Sequence, residues 1–376
     1  MKISSLAKYA VGVTVAAAML AACSSGGSSS FGPSAAPSGH STGITQLARI
    51  QDMALTMPHF LNRPVHTDHG QSFMIPDKHH KKKVKAYLYV DDDATNDTYV
   101  YDYPSGKAVG TLTGFSAPYG ECGDGKGDVF ITNFSGGSAV EYKHGGKSPI
   151  NTYSGVGEPI GCSVNSNGDV AVTSFSPGEV VVFAGGNPSK GTTYTGSCTY
   201  QWGMGYDAKG DLVGIGEEST GSIVACALMS GSKSETTLSG CCTGPITIDF
   251  PGGTSWDGKY IALGDQEAGG TFLTGDWPST ISGGALSSSG EVKFSDSCYS
   301  DYVDDVNPFY VGKGKGTKQN ITPKSTTQGS AMVGPNLWCN DAGTSAVDYW
   351  AYPAGGSPSS KLTSPPSEPY GADVSD

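Results

Sequence analysis

The sequence predicts an all-β fold, a β-propeller of about six four-stranded blades closed by the C-terminal strand. Three observations carry that expectation. The first is a repeated unit. Residues 118–142 open on Pro118-Tyr119-Gly120, reverse through a glycine-rich turn ending Gly127-Asp128, run through the β-branched and aromatic stretch 129–133, and turn again into 139–142. His144-Gly145-Gly146 then makes a third reversal into 149–153, since paired glycines accept the positive φ of hairpin turns. The second is the spacing. The same order returns around Pro159-Ile160-Gly161 with Gly168-Asp169, around Gly203 with Gly210-Asp211, and around Gly258, so that Gly127, Gly168, Gly210 and Gly258 lie 41, 42 and 48 residues apart. Four short strands on a period of about 40–50 residues mark a propeller blade. The third is composition: 55 Gly, 22 Pro and 15% charged residues in 376 suit one large, turn-rich β domain.

Residues 1–22 read as a signal peptide, with Lys2 and Lys8 ahead of an apolar run at 10–22 that is short for a membrane span. The run ends Leu20-Ala21-Ala22-Cys23, which resembles the lipobox of bacterial lipoproteins, cleaved before a cysteine that then carries lipid. Cys23 is therefore the expected lipidation site. The expected location is the bacterial cell envelope, with the protein anchored to the outer membrane or cell surface. Ser24 in place of Asp favours the outer membrane by analogy with enteric bacteria. Residues 23–85 are expected to hold the anchor, a flexible Ser/Gly/Pro/Ala tether at 24–41, and a short amphipathic helix at 44–57. His59, His66, His69, His79 and His80 follow among lysines, without a cysteine or carboxylate that completes a metal shell, and read as a solvated basic linker.

The propeller is expected over 86–376. Blade one takes 86–90, 98–102 and 108–113 but lacks its Pro-x-Gly strand, which reappears at the chain end as Pro369-Tyr370-Gly371 and would close the ring. Blades two to four follow the repeat. Blade five runs from Cys242 to about Phe294, with a strand at 271–273. Blade six starts near 302–311 and resumes at 331–339 and 345–352 after an insertion at 312–329 that reads as a surface loop.

With Pro-x-Gly, a Gly-Asp turn and a Val-x-Tyr/Phe strand repeated over 86–376, the chain resembles NHL-type and related six-bladed propellers, here on a lipoprotein stalk. The resemblance implies a binding or scaffold platform for a protein or carbohydrate ligand. Other six-bladed relatives, the gluconolactonase and regucalcin group, imply the alternative of a metal-dependent envelope hydrolase, although their glutamate and asparagine ligands have no assignable match here.

Charge excludes one class of partner. Residues after 85 hold 14 lysines, no arginine and 32 acids, a field that repels phosphate backbones, so no nucleic acid is expected. No catalytic residues are assigned: Gly-x-Ser-x-Gly is absent and the propeller's one histidine, His144, sits in a turn. No cofactor is expected, and Ca²⁺ is the one metal the composition suggests. Asp91, Asp92, Asp93 and Asp97 form one oxygen-rich cluster and Asp296, Asp301, Asp304 and Asp305 another, both reading first as solvated turn carboxylates. Trp202, Trp256, Trp338, Tyr349 and Trp350 are blade-core residues or, failing that, a sugar-stacking face. A monomer is expected.

Apart from Cys23, eight cysteines remain in a chain bound for an oxidising compartment. Cys122 and Cys162 stand two and one residues after the equivalent Gly120 and Gly161, and that offset turns them to opposite faces of their strands. One of the two senses of the ring brings them into the same interblade gap as a disulfide. The other leaves two buried thiols. Adjacent Cys241 and Cys242 are expected to avoid each other and reach separate partners such as Cys226 and Cys198.

Overall fold

The computed structural model of the chain describes residues 70–75, 86–103, 106–248, 251–256, 259–265, 275–288, 290–293, 336–341, 346–351, 360–362 and 369–375. Cys23, the expected tether and 44–57 helix, the histidine-rich stretch, the acidic cluster at 296–305, the 312–329 insertion and the expected first strand of blade six lie outside them.

Antiparallel sheets follow one another along the chain, and each of blades two to four is a simple four-stranded meander. Blade two is Pro118–Gly123, Val129–Asn133, Ser138–Tyr142 and Pro149–Ser154. Blade three is Pro159–Val164, Val170–Ser174, Glu179–Phe183 and Gly191–Thr195. Blade four is Cys198–Tyr206, Leu212–Glu218, Ile223–Leu228 and Thr236–Leu238. In blade five, Pro251–Trp256 and Ile261–Asp265 are followed by Gly275–Ser282, a few residues beyond the expected 271–273, and by Ala285–Ser288. Blade six shows Asn336–Asp341, Ala346–Ala351 and Ser360–Leu362 among the described residues.

Blade one is closed by the end of the chain. Pro369–Ser375 pairs antiparallel with Ala86–Asp92, from Tyr87 opposite Ser375 to Asp92 opposite Pro369. Asp97–Tyr103 and Lys107–Leu112 complete the meander, and Phe73–Met74 adds an unanticipated fifth strand against Lys107–Leu112. Closure in this manner pairs what would otherwise be an open sheet edge.

The core is a set of seams between successive blades. Strand residues alternate sides, so Val129 and Ile131 pack with Tyr89, Val100 and Leu112 of blade one, while Phe130 packs with Val170 and Val172 of blade three. A strand buried on both faces reads as an unbroken apolar run, which is why 129–131 and 170–172 show no polar alternation. Val213 and Ile215 meet Ile261 and Leu263 across the next seam but one.

Both sequence markers of the repeat follow from local geometry. At the Pro-x-Gly end, inner strands of neighbouring blades come so close that a Cβ on Gly120 would stand 2.3 Å from the Ile160 carbonyl oxygen, and one on Gly371 would stand 2.6 Å from that of Tyr119. A register shift accompanies the motif in each of blades one, two, three and five. At the other end, Asp124, Asn165 and Asp207 each accept backbone N–H groups two and four residues on, at 2.7–3.0 Å. Such a self-capped turn requires positive φ before its last acid, supplied by Gly127 (101°), Gly168 (81°) and Gly210 (84°). That last acid then ties the turn to the neighbouring hairpin. Asp169 accepts from the Gly185 N–H at 2.7 Å, Asp211 from the Ser230 N–H at 2.8 Å, and Asp128 from Lys143 Nζ at 2.6 Å.

Candidate functional site

Two regions stand apart from this repeat logic. The first lies between blades one and two. Asp91 occupies the strand position held by Thr132 in blade two and Thr173 in blade three, opposite the motif glycine. In blade two that threonine hydroxyl accepts the Gly120 N–H at 2.8 Å. Asp91 instead faces Glu121, the residue following Gly120, and both are fully buried. Thr98 donates its hydroxyl to Asp91 Oδ1, Asp91 Oδ2 is buried without a protein N–H or O–H to accept, and the Asp91 carboxyl lies within hydrogen-bonding reach of the Glu121 carboxyl. Two carboxyl groups hydrogen-bond each other only when one holds a proton. Burial accordingly pushes the Asp91 carboxyl up to about 7, the Glu121 and Thr98 hydrogen bonds pulling the other way and the neighbouring Asp92 charge adding to the rise. Tyr89 lies beside the pair, with its hydroxyl accepting the Gly145 N–H at 3.2 Å. Its phenol is pushed well above the usual range, chiefly by burial, with Glu121 and Asp373 contributing.

This arrangement corrects the reading of 91–97 as solvated turn carboxylates: Asp91, Asp92, Asp93 and Asp97 are all buried. The three-acid run looks like a turn, but its first two members are still in the strand Ala86–Asp92, and the turn itself is tied inward by Asn96 Oδ1, which accepts the Ala117 N–H at 2.8 Å. Among the described residues, no three His, Cys, Asp or Glu side chains are grouped as metal ligands. Glu121 and Asp373, which build the region with Asp91, were missed by sequence reasoning. Their signal was available, since Cys162 stands where Glu121 does in the repeat and Ser163 where Asp373 does.

The second region is an open groove of about 290 Å³ where the seam between blades three and four reaches solvent beside the two self-capped turns. Tyr194, on the outer strand of blade three, and Tyr206, at the end of the inner strand of blade four, form its walls over an apolar floor that includes Val182, Leu212 and Leu228. The rim is polar, with Asn167, Lys209 and Ser232 on it. Tyr206 is only 8% exposed, and its phenol is pushed above the ordinary range by burial, with the Asp169 carboxylate and Tyr194 adding to the effect. Sequence reasoning missed both tyrosines because it looked to tryptophan for a stacking face. Trp202 is instead buried edge-on against Phe175 at 5.3 Å, and Trp256 packs on the core between blades four and five. Trp338, Tyr349 and Trp350 have side chains outside the described residues.

Among the described residues the cysteines form three disulfides. Cys122 and Cys162 are joined across the seam between blades two and three, with Cα atoms 5.6 Å apart. Cys198 is joined to Cys226 within blade four. Cys241 and Cys242 are joined to each other, which corrects the expectation of separate partners. The peptide bond between them is cis, and their Cα atoms stand 3.1 Å apart. His144 Nδ1 lies 3.0 Å from Ser375 Oγ, but the Ser375 hydroxyl is buried and donates to the Gly127 carbonyl. With its proton so placed, Ser375 ties the closing strand to blade two.

No protein-family model matches the chain, and no curated protein matches it. Among solved structures it is similar to a chain of a nidogen/laminin complex, with a TM-score of 0.53 and 13% identity over 77% of this chain and 98% of that one. It also aligns with hydrazine synthase of Kuenenia stuttgartiensis (TM-score 0.46, 15% identity, 76% of this chain and 80% of that one). A third alignment is with virginiamycin B lyase of Staphylococcus aureus (0.43, 12%, 75% and 84%). At such identities the likeness to the nidogen/laminin chain is one of fold alone, and what the molecule is by architecture is a β-propeller closed by its own C-terminal strand.

Proposed function

We propose that the chain is an exported binding platform, a propeller held at a bacterial membrane surface through lipid on Cys23 and presenting a ligand site to the envelope space. The observation that carries the binding role is the groove between blades three and four, where two tyrosines and a polar rim gather over an apolar floor. Concave sites of that composition are where small ligands bind. Export is supported independently by the three disulfides, which persist in oxidising compartments and are rare in the cytosol. The lipobox-like Leu20-Ala21-Ala22-Cys23 and the polar tract after it support the anchor. Each methylene of a lipid chain buried in the bilayer contributes about 0.8 kcal/mol, and stable attachment takes more than one chain.

The test has two arms. Cells fed an alkyne-tagged fatty acid should label the wild-type chain and leave Cys23→Ser unlabelled and released from the detergent phase. A Cys23→Ser chain that still partitions with detergent rules out this anchor. For the binding role, the full-length chain in a non-glycosidic detergent is probed on a mixed array of glycans and peptides, and retention of neither class overturns the platform.

A further inference from the structure

Resting on that reading, we propose that the groove between blades three and four is a subsite for a neutral saccharide, in which Tyr206 offers its hydroxyl and Tyr194 its ring. Tyr206 is more than nine-tenths buried as a residue and lines the groove, and its hydroxyl, which is not among the solvent-excluded polar atoms, has no protein hydrogen-bond partner. A tyrosine hydroxyl that no protein group occupies, at the open end of an otherwise buried ring, is placed to pair with a polar group that enters the groove in place of water. Neighbouring polar groups beside the groove are already paired. Asp169 accepts from Asn165 Nδ2 at 2.9 Å and from the Gly185 N–H, and Tyr206's own N–H is taken by Ser163 Oγ at 3.0 Å.

The lining fixes the ligand's chemistry. A sugar ring has an apolar C–H face and a belt of hydroxyls that both donate and accept. The groove offers the matching set: tyrosine rings, the apolar floor, and neutral Asn, Ser and Tyr groups that can play either role. Asp169 stands in the lining and Asp211 caps the adjoining hairpin, against the single cation Lys209, so an anionic ligand meets net repulsion. The volume lies at the small end of ligand sites, roughly 300 Å³, enough for one or two sugar rings and too small for a folded partner.

Full-length protein in a non-glycosidic detergent is titrated with lactose, maltose and N,N′-diacetylchitobiose and followed by saturation-transfer NMR. At least one disaccharide should bind. Tyr206→Phe, which keeps the ring and the packing, should weaken that binding about three- to ten-fold, the loss of one neutral hydrogen bond. Tyr194→Ala should weaken it further at an unchanged melting temperature, and Lys209→Ala should change it little. Saccharide binding that Tyr206→Phe leaves untouched overturns the assignment of the groove. Binding that disappears with Lys209→Ala and with added salt shows an anionic ligand and overturns the neutral class. If the array retains peptides and none of the disaccharides binds, the subsite fails while the platform stands.

Discussion

The seams on either side of blade two use the same two repeat positions for opposite chemistry. Across the seam with blade three, the second residue after Gly120 and the first after Gly161 are Cys122 and Cys162, joined as a disulfide. Across the seam with blade one, the corresponding residues are Asp373 and Glu121, both buried, with Asp91 completing a carboxyl cluster. The backbone approach is alike, since the motif glycines Gly371 and Gly120 both face a carbonyl oxygen where a Cβ would collide. One seam is therefore held by a covalent bond. The other, which is also where the chain ends meet, gathers carboxyl groups, of which burial makes Asp91 reluctant to ionise. A buried acid whose folded value is raised weakens the fold as pH climbs past the unfolded value.

The largest way to break the comparison is to remove the closing strand. Deleting residues 368–376 takes away Asp373 and Ser375 and leaves Ala86–Asp92 as an open edge. The loss should be on the order of the whole stability of a domain, about 5–15 kcal/mol, so the truncated chain should fail to show a cooperative melt. A truncated chain that melts at the wild-type temperature means the ring closes elsewhere. Breaking the other seam should matter less. The Cys122–Cys162 bridge spans 40 residues, and in the chain-entropy account such a loop stabilises by roughly 3–4 kcal/mol. Cys122→Ser with Cys162→Ser should lower the denaturant midpoint accordingly, with the slope of the transition little changed. Reductant should reproduce that drop in the wild type and add nothing attributable to this bridge in the double variant.

Much of the architecture was legible because each marker answers a backbone demand. Gly120 and Gly371 stand where no Cβ fits, and Gly127, Gly168 and Gly210 where φ is positive, so they recur on the period of the blade. Pro369-Tyr370-Gly371 gave away the closing strand for the same reason. The carboxyl cluster was hidden because burial of Asp91 depends on Glu121, 30 residues away on another blade, and a run of three acids ordinarily signals solvent. The groove was hidden for a different reason: Tyr194 and Tyr206 belong to separate blades, and in sequence each looks like an ordinary strand aromatic. The Cys241–Cys242 bond joins two neighbours in sequence, a pairing that composition does not announce.

The carboxyl seam can be sharpened by titration. An acid whose folded value is raised stabilises the fold fully only where both states are protonated. As pH climbs past the unfolded value of 3.8, the unfolded chain ionises first, and the contribution of Asp91 is lost until the folded group ionises near 7. Between about pH 4 and 7 one such group contributes a slope of at most about 1.4 kcal/mol per pH unit. Asp91→Asn removes that term, so the difference between wild type and variant should grow in the variant's favour from pH 4 to pH 7 and then level. Glu235 is also raised, to about 7, by burial offset by the Gln201 amide, which donates to it at 2.6 Å. It remains in both proteins and cancels in the difference. A difference that is flat across this range would show that the pair holds no extra proton.

The finest test asks whether the tightness at blade two is a property of the seam or of the motif. Gly120 and Gly161 occupy the same place in Pro-x-Gly, and neither has the positive φ that would penalise a side chain by itself. Their surroundings differ. A Cβ at Gly120 meets the Ile160 oxygen at 2.3 Å and cannot be accommodated without moving backbone, whereas at Gly161 the nearest atom is the Gly203 Cα at 3.5 Å, an ordinary contact. Gly120→Ala should then destabilise by about 1–3 kcal/mol, the usual effect of overpacking. Gly161→Ala should be neutral or stabilise by about 0.4–1 kcal/mol, because alanine narrows the unfolded ensemble at a site its backbone accepts. Denaturant midpoints of the two variants separate these outcomes. Equal losses at both positions would mean that the glycines answer to the motif's own bend, and that the seams around blade two are no tighter than the one between blades three and four.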